Sequence, residues 1–153
     1  MNQQDLYDKI PLTAAMQLQM QWVAGGLRMS APLAVNSNDK GTAFAGSLSS
    51  LLQVAGWALW QDWCERTLPR PSQVLAVNFE IRYRQPVSED IEFEVFLPEA
   101  QELTRIEDAL RRHQKARVQQ ELWIGSDPEH AQVTARIDYA LRCGLKTSLG
   151  SAL

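Results

Sequence analysis

Apolar residues occupy every second position in six segments of the chain, and this period of two predicts β-strands with one buried face. The first two segments flank Gly25-Gly26, a pair typical of a tight turn, so they are predicted to form a hairpin. Pro86 ends the third segment, because proline cannot donate to a strand ladder. The apolar faces of the six predicted strands are Leu18, Met20 and Trp22; Leu27, Met29, Ala31 and Leu33; Leu75, Val77, Phe79, Ile81 and Tyr83; Ile91, Phe93, Val95 and Leu97; Val118 to Ile124; and Val133, Ala135, Ile137 and Tyr139.

The stretch from Gly41 to Gln61 contains no charged residue and is too long for a strand. Its length approaches that of a bilayer-spanning helix, but it contains serine, threonine and glutamine residues and runs directly into Asp62. These features favour a helix enclosed by protein, and we predict that it is the one long buried helix of the fold. A surface helix is predicted over Glu102 to Gln114, where apolar residues recur at helical spacing among charges.

The predicted order of elements is β-β-α-β-β-β-β. An α+β fold in which an antiparallel sheet wraps around one long central helix accommodates this order, and that arrangement is the hotdog fold. The chain has no repeat and no linker composition, so we expect residues 1–153 to form a single domain. A lone sheet of this kind leaves an edge strand and one flank of its helix open, which predicts a homodimer or a dimer of dimers.

Composition narrows the function classes. The chain has 153 residues, 45% of them hydrophobic, and a formal net charge of -3, which is typical of a globular domain with a packed core. The acidic pI of about 5.4 argues against a nucleic-acid partner. The two cysteines, Cys64 and Cys143, and the two histidines, His113 and His130, match no metal-ligand spacing, so neither a metal nor a cofactor is expected. The opening residues lack the apolar core of a secretory signal, and we expect a cytoplasmic protein without a membrane partner.

Several motifs together resemble those of a bacterial family of hotdog-fold thioesterases, whose members occur as free proteins or behind an acetyltransferase domain. The resemblance rests on PLAVNSNDKGTAFAGS at 32–47, AGW at 55–57, IRYRQPV at 81–87, IPL at 10–12 and the basic run LRRHQKARV at 110–118. It implies a hotdog fold and a substrate carried as a thioester on CoA or on acyl carrier protein. Some relatives are assigned as malonyl-acyl carrier protein decarboxylases. The chain departs from the family pattern at Ala45, where a glycine is frequent, and at Gln53, where an apolar residue is frequent.

Chemistry on a thioester requires hydrogen-bond donors aimed at the carbonyl oxygen, where negative charge develops. Backbone N–H groups where the loop enters the long helix can supply them. The resemblance makes Asn38 the first candidate for a catalytic residue, with Asn36 second or holding the loop; the alternative is that both make only turn hydrogen bonds. The residues expected to line the substrate site are Gly41, Phe44, Ala45, Gly46, Ser47, Ser50 and Gln53.

Hydrolysis also requires a group that activates water, and the predicted helix offers no carboxylate or histidine. Asp39 in the loop and Glu80 on the third strand are the available candidates. Decarboxylation of a malonyl thioester needs no water activation, so it remains an alternative to hydrolysis. A third reading is a non-catalytic module that binds acyl carriers.

The basic run near the end of the surface helix offers a contact for the carrier. Arg111, Arg112 and Lys115 are predicted to bind the phosphates of CoA or the acidic face of acyl carrier protein, because guanidinium groups bind phosphate bidentately. The alternative is a solvated helix end, where cations are favourable beside the C-terminus.

Overall fold

A computed structural model of the chain describes residues 1–144; the last part of the predicted domain, residues 145–153, lies outside the described residues. The helices are α1 (Gln3–Lys9), α2 (Leu12–Ala15), α3 (Leu33–Asn36), α4 (Ala45–Thr67) and α5 (Ala100–His113). The strands are β1 (Gln19–Val23), β2 (Gly26–Ala31), β3 (Ser72–Tyr83), β4 (Ile91–Phe96), β5 (Lys115–Ile124) and β6 (Val133–Cys143). No helix among residues 1–144 combines the length and the apolar character that crossing a bilayer requires.

The strands form two three-stranded antiparallel sheets, ordered β1-β2-β4 and β3-β6-β5. Strands β4 and β5 lie side by side, but within the described part of the chain no backbone hydrogen bond joins them. The Gln120 side chain spans this boundary instead: its Nε2 donates to the Phe96 carbonyl oxygen at 3.3 Å, and its Oε1 accepts from Trp60 Nε1 at 3.1 Å. The two sheets together wrap around α4, which confirms the predicted hotdog fold. The wall around the helix consists of these two sheets and is not one continuous sheet.

Helix α4 begins later and ends later than its sequence pattern predicts. It does not begin at Gly41, because Gly41 has a φ of +73° and Ala43 pairs with Ser37 in an isolated bridge, so this segment is a loop. It does not end at Gln61 but continues to Thr67. The first charged side chain beyond the predicted end, Asp62, accepts hydrogen bonds from the Met1 ammonium at 2.7 Å and from Arg66 Nε at 2.6 Å, so its burial leaves no unpaired charge.

The core lies between α4 and the inner faces of the sheets. The predicted inner faces of β2, β4 and β6 are confirmed, with Met29, Ile91 and Ile137 fully buried. Tyr139 on β6 packs against Gly56 of α4, where a Cβ would lie 2.9 Å from a ring carbon, and its hydroxyl donates to the Gln53 carbonyl oxygen at 2.7 Å. A small residue at position 56 therefore lets the sheet and the helix approach closely.

Strand β3 departs from its predicted alternation. The register with β6 shifts between Ala76 and Asn78, so Val77 is an extra residue in a β-bulge. The prediction that Leu75 and Val77 share the buried face of Phe79 is wrong, because the bulge changes the phase: Leu75 is 43% and Val77 45% exposed, and Val74 is buried in their place.

Three smaller boundaries also differ. The hairpin turn lies at residues 24 and 25, because Gly26 already pairs with Val23 and belongs to β2. Strand β2 ends at Ala31, and Leu33, predicted to continue it, begins α3 after Pro32. Strand β5 begins at Lys115, directly after the left-handed Gln114 that ends α5.

Candidate active site

A surface cleft of about 310 Å³ lies where the loop before α4 meets the end of β3. The side nearest α4 presents Asn38, Thr42 and Ala45, and the opposite side presents Tyr83, Arg84 and Val87. The loop is held against this second side by a hydrogen bond from the Ala43 amide to the Val87 carbonyl oxygen, at 2.8 Å. The first helical turn, the loop and the strand end therefore converge on one opening.

The Asn38 side chain organises the loop. Its Oδ1 accepts from the backbone amides of Lys40 at 2.8 Å and Thr42 at 3.3 Å. Its Nδ2 donates to Thr42 Oγ1 at 3.0 Å and, over a long 3.4 Å, to the Ala43 carbonyl oxygen. Asn38 thus makes the turn hydrogen bonds that asparagine favours, and the long bond leaves one donor position weakly held at the edge of the cleft.

Asn36 is buried behind the loop, with 2% of its surface exposed. Its Nδ2 donates to the carbonyl oxygens of Met16 and Pro32, both at 2.9 Å, and its backbone carbonyl oxygen accepts from the Phe44 amide at 2.7 Å. These bonds join α2, α3 and the start of α4. Asn36 therefore holds the loop from inside and does not line the cleft.

The first turn of α4 supplies backbone donors. No side chain caps this end of the helix among the described residues, and the N–H groups of Ala45, Gly46 and Ser47 have no acceptor within the helix. The Phe44 ring lies over Gly46, where a Cβ would come within 2.9 Å of the ring. The ring is half exposed and does not line the cleft.

Tyr83 is a site residue that the sequence pattern assigned only to a strand face. Its hydroxyl donates to the Ala45 carbonyl oxygen at 2.8 Å, which ties the end of β3 to the first residue of α4. Burial raises the pKa of this phenol above its usual range. The hydroxyl therefore stays protonated and keeps donating its one proton to Ala45. The sequence does not predict that the neighbouring Arg84 lines the cleft either. That prediction would require knowing that β3 ends beside the loop.

Neither candidate base reaches the cleft. The Asp39 side chain is 82% exposed and pairs with Lys40 at 3.1 Å. Glu80 lies on the outer face of its sheet and accepts two hydrogen bonds from Arg136, both at 2.9 Å, which hold the pKa of Glu80 below its usual range. Among the residues that the structure describes, no aspartate, glutamate or histidine lines the cleft.

Three of the other predicted residues on α4 belong to a partly exposed stripe. Gly46, Ser50 and Gln53 recur at helical spacing, together with Trp57, on one flank that the sheets leave partly uncovered. The Ser50 hydroxyl donates to the Gly46 carbonyl oxygen at 2.9 Å, and Gln53 Nε2 donates to the Ser49 carbonyl oxygen at 3.3 Å. The stripe runs away from the cleft along the helix.

The basic run lies at the other end of the molecule. Arg111 Nε donates to Glu107 at 2.8 Å, and Arg111 Nη2 reaches the carbonyl oxygen of Thr67, the last residue of α4, at 3.4 Å. Arg112 and Lys115 are exposed beside it. A helix of 23 residues separates this end from the cleft, a distance of about 33 Å. The structure therefore does not bring Arg111, Arg112 and Lys115 to the cleft of the same chain.

An antiparallel sheet wrapped around one long helix defines a protein of the hotdog fold. The family model described as "Putative thioesterase (yiiD_Cterm)" matches residues 2–135, so the chain belongs to this family. It is similar to a putative thioesterase from Shewanella oneidensis (28% identity, TM-score 0.72, 92% of each chain covered). A protein of unknown function from Chlorobaculum tepidum superimposes with a TM-score of 0.82 at 27% identity, over 92% of this chain and 91% of that one. A probable thioesterase from Pseudomonas aeruginosa shares the fold at 23% identity (TM-score 0.74, 91% of each chain).

Proposed function

We propose that the chain hydrolyses acyl thioesters of CoA or acyl carrier protein at the cleft beside α4. The observation that carries this proposal is the convergence of Asn38, Tyr83 and the uncapped first turn of α4 on one opening. Donors held in place before the reaction stabilise negative charge on a carbonyl oxygen without reorganisation. Family membership supplies the thioester as substrate class.

The long hydrogen bond of Asn38 identifies the donor that would meet the substrate. A thioester oxygen in the cleft would take the place of the Ala43 carbonyl oxygen, which Asn38 Nδ2 contacts at 3.4 Å. The bonds that Asn38 Oδ1 accepts would keep the amide oriented during this exchange. The backbone N–H groups at positions 45 to 47 would complete the oxyanion site.

A second candidate reaction is decarboxylation of a malonyl thioester. It is favoured by one observation: Asp39 and Glu80 lie outside the cleft, and both are paired with cations. In this reaction the bond to the carboxylate carbon breaks, carbon dioxide leaves, and the electron pair passes into a thioester enolate that then takes a proton. The same oxyanion donors stabilise that enolate, and no water has to be activated.

The proposed assembly is a dimer through the free edge of β3. Strand β3 is an edge strand in the described chain, and Leu75 and Val77 are exposed on it. An exposed apolar edge strand is a template for pairing with another strand. The partly exposed stripe on α4 lies on a helix that packs against this strand, so a second copy would cover both.

The predicted carrier contact at Arg111, Arg112 and Lys115 would have to act across such a dimer. The cleft lies at the Tyr83 end of β3, and Lys115 lies near the Ser72 end, because Arg142 pairs with both Lys115 and Gln73. Antiparallel pairing of two β3 edges places the Ser72 end of one copy beside the Tyr83 end of the other. The basic run would then lie beside the cleft of the second copy, as a contact for the acidic face of acyl carrier protein.

The test is to incubate the protein with malonyl, acetyl and longer acyl thioesters of CoA and of acyl carrier protein, while free thiol and carbon dioxide are measured together. The variant is Asn38→Ala, and the control is Asn78→Ala, which removes an exposed asparagine from the outer sheet face. Thiol release that is lost only in Asn38→Ala supports hydrolysis. Carbon dioxide release with the thioester intact supports decarboxylation instead. If the folded wild type releases neither thiol nor carbon dioxide, the result supports a non-catalytic module that binds acyl carriers.

A further inference from the structure

A second groove begins where the cleft ends. It has a volume of about 280 Å³, lies on the outer face of the β3-β6-β5 sheet, and shares one lining residue, Arg84, with the cleft. Arg84 Nη1 donates to the carbonyl oxygens of Pro128 and Glu129, both at 3.2 Å, which fixes the guanidinium group between the two openings. Its remaining N–H groups stay available to a ligand.

The groove has a cationic end and an aromatic end. Arg82 and Trp123 both pair with Thr134, so one row across three strands carries Arg82 on β3, Thr134 on β6 and Trp123 on β5. The indole of Trp123 is partly exposed. The outer strands of such a row are about 10 Å apart, so the arginines and the indole can contact different parts of one ligand.

Some of the arginines in the groove form ion pairs and others do not. In the next row, Arg136 lies between Glu80 and Glu121 and is hydrogen-bonded to Glu80. Arg82 and Arg84, by contrast, form no ion pair within residues 1–144. The end of the groove next to the cleft is therefore positive, in a chain whose net charge is -3.

We infer that this groove binds the adenine nucleotide of CoA, with the phosphates at Arg82 and Arg84 and the base against Trp123. This inference rests on the proposed function, because it places the nucleotide end of a substrate whose thioester lies in the adjoining cleft. Guanidinium groups recognise phosphate through paired hydrogen bonds, and an indole face stacks on a base. The order cleft, arginines, tryptophan is the order thioester, phosphates, adenine along acyl-CoA, so CoA is the preferred carrier.

The direct test is calorimetric titration of adenosine 3′,5′-bisphosphate into the wild type, Arg82→Gln and Trp123→Leu. Arg105→Gln and Trp22→Leu are matched controls, because both residues are exposed and lie outside the groove. We expect the wild type and the controls to bind alike, and each groove variant to bind about tenfold more weakly, as for loss of one good polar or stacking contact. Absence of binding by the wild type, or equal binding by the groove variants, overturns the inference. So does binding that is lost in Arg112→Gln instead.

A kinetic comparison separates this inference from the proposed function. The same acyl group is offered on CoA and on pantetheine, which lacks the nucleotide. Hydrolysis of acyl-pantetheine therefore tests the cleft alone. A higher kcat/KM for acyl-CoA that Arg82→Gln abolishes, with acyl-pantetheine unaffected, supports the groove. Equal kcat/KM for the two substrates overturns it while leaving the hydrolase proposal standing.

Discussion

The Tyr83 hydroxyl donates to the carbonyl oxygen of Ala45 at 2.8 Å, and this bond fixes the end of β3 against the first residue of α4. Arg84 directly follows Tyr83 and lines both the cleft and the groove on the outer sheet face. The Tyr83 bond, together with the bond from the Ala43 amide to the Val87 carbonyl oxygen, therefore holds both openings beside the first turn of α4.

We predict that Tyr83→Phe lowers kcat about tenfold and changes KM little, because the first turn loses its anchor while the cleft keeps its shape. Steady-state kinetics on one acyl thioester measures this effect. Tyr7→Phe is the matched control, since the Tyr7 hydroxyl also donates to a carbonyl oxygen at 2.8 Å, that of Leu18, and Tyr7 does not line the cleft. Equal kcat values for the two variants would contradict the anchoring role.

Replacing Gln120 by leucine should destabilise the fold by about 1–3 kcal/mol, since the buried Trp60 N–H would lose its acceptor. Urea unfolding with intrinsic fluorescence measures the free energy of unfolding. Gln119→Leu, which alters the neighbouring exposed side chain, should change it much less. An equal loss of stability in both variants would contradict a stabilising role for the hydrogen bonds that Gln120 makes between the sheets.

The Asp62 carboxylate makes stability depend on pH. Burial acts to raise the pKa of Asp62, but hydrogen bonds from the Met1 ammonium and Arg66 outweigh burial and leave this pKa below its usual range. Because the folded state lowers the pKa of Asp62, the charged carboxylate stabilises the fold fully above its unfolded-state pKa of about 3.9. This stabilisation is lost as the pH falls through the lower, folded-state pKa.

We therefore expect Asp62→Asn to reduce the free energy of unfolding by about 1.5–3 kcal/mol at pH 7, with the difference from the wild type shrinking below pH 4. Denaturant titrations across this range test the expectation. Asp108→Asn, an exposed carboxylate on α5, serves as the control. A difference that stayed constant down to pH 2 would show that the charge of Asp62 is not the source of the effect.

Charge on the β3 edge should prevent self-association. We predict that Val77→Lys gives a monomer in sedimentation velocity, because a lysine on the edge disfavours pairing with another strand. Leu12→Lys removes a similarly exposed apolar residue, 56% against 45% exposed, from a place outside β3 and should leave the association unchanged. A Val77→Lys protein that still associated would exclude this edge as the interface.

The alternation of apolar residues was enough to predict the order of the six strands and the buried faces of β2, β4 and β6, since a face packed on α4 admits few exceptions. The alternation did not predict the buried face of β3, where one extra residue shifts the period of two. The bulge at Val77 leaves no mark in the period of two, so Leu75 was placed on the wrong face. Likewise, the absence of charge from Gly41 onward could not separate a loop from the helix that follows it.

The loop motif located Asn38 at the cleft, because the motif is local in sequence. The sequence does not predict that Tyr83 and Arg84 line the cleft or that Trp123 shares a groove with Arg82, for the opposite reason: these positions depend on the register of β3, β6 and β5, which joins residues far apart in the chain. The role of the basic run as a carrier contact was predicted from its charge and from its resemblance to a family motif. Neither of these indicates which end of α4 the run occupies.

Strands β4 and β5 face each other without sharing a ladder, and this has a consequence for how the molecule exchanges its amide protons. Amides of β4 and β5 that point toward this boundary have no ladder partner in the described chain, whereas those of the middle strands β2 and β6 are hydrogen-bonded to a neighbouring strand. Deuterium should therefore replace the boundary amide protons sooner than those of β2 and β6. The Gln120 side chain hydrogen-bonds across this boundary, so its replacement should speed exchange along it further.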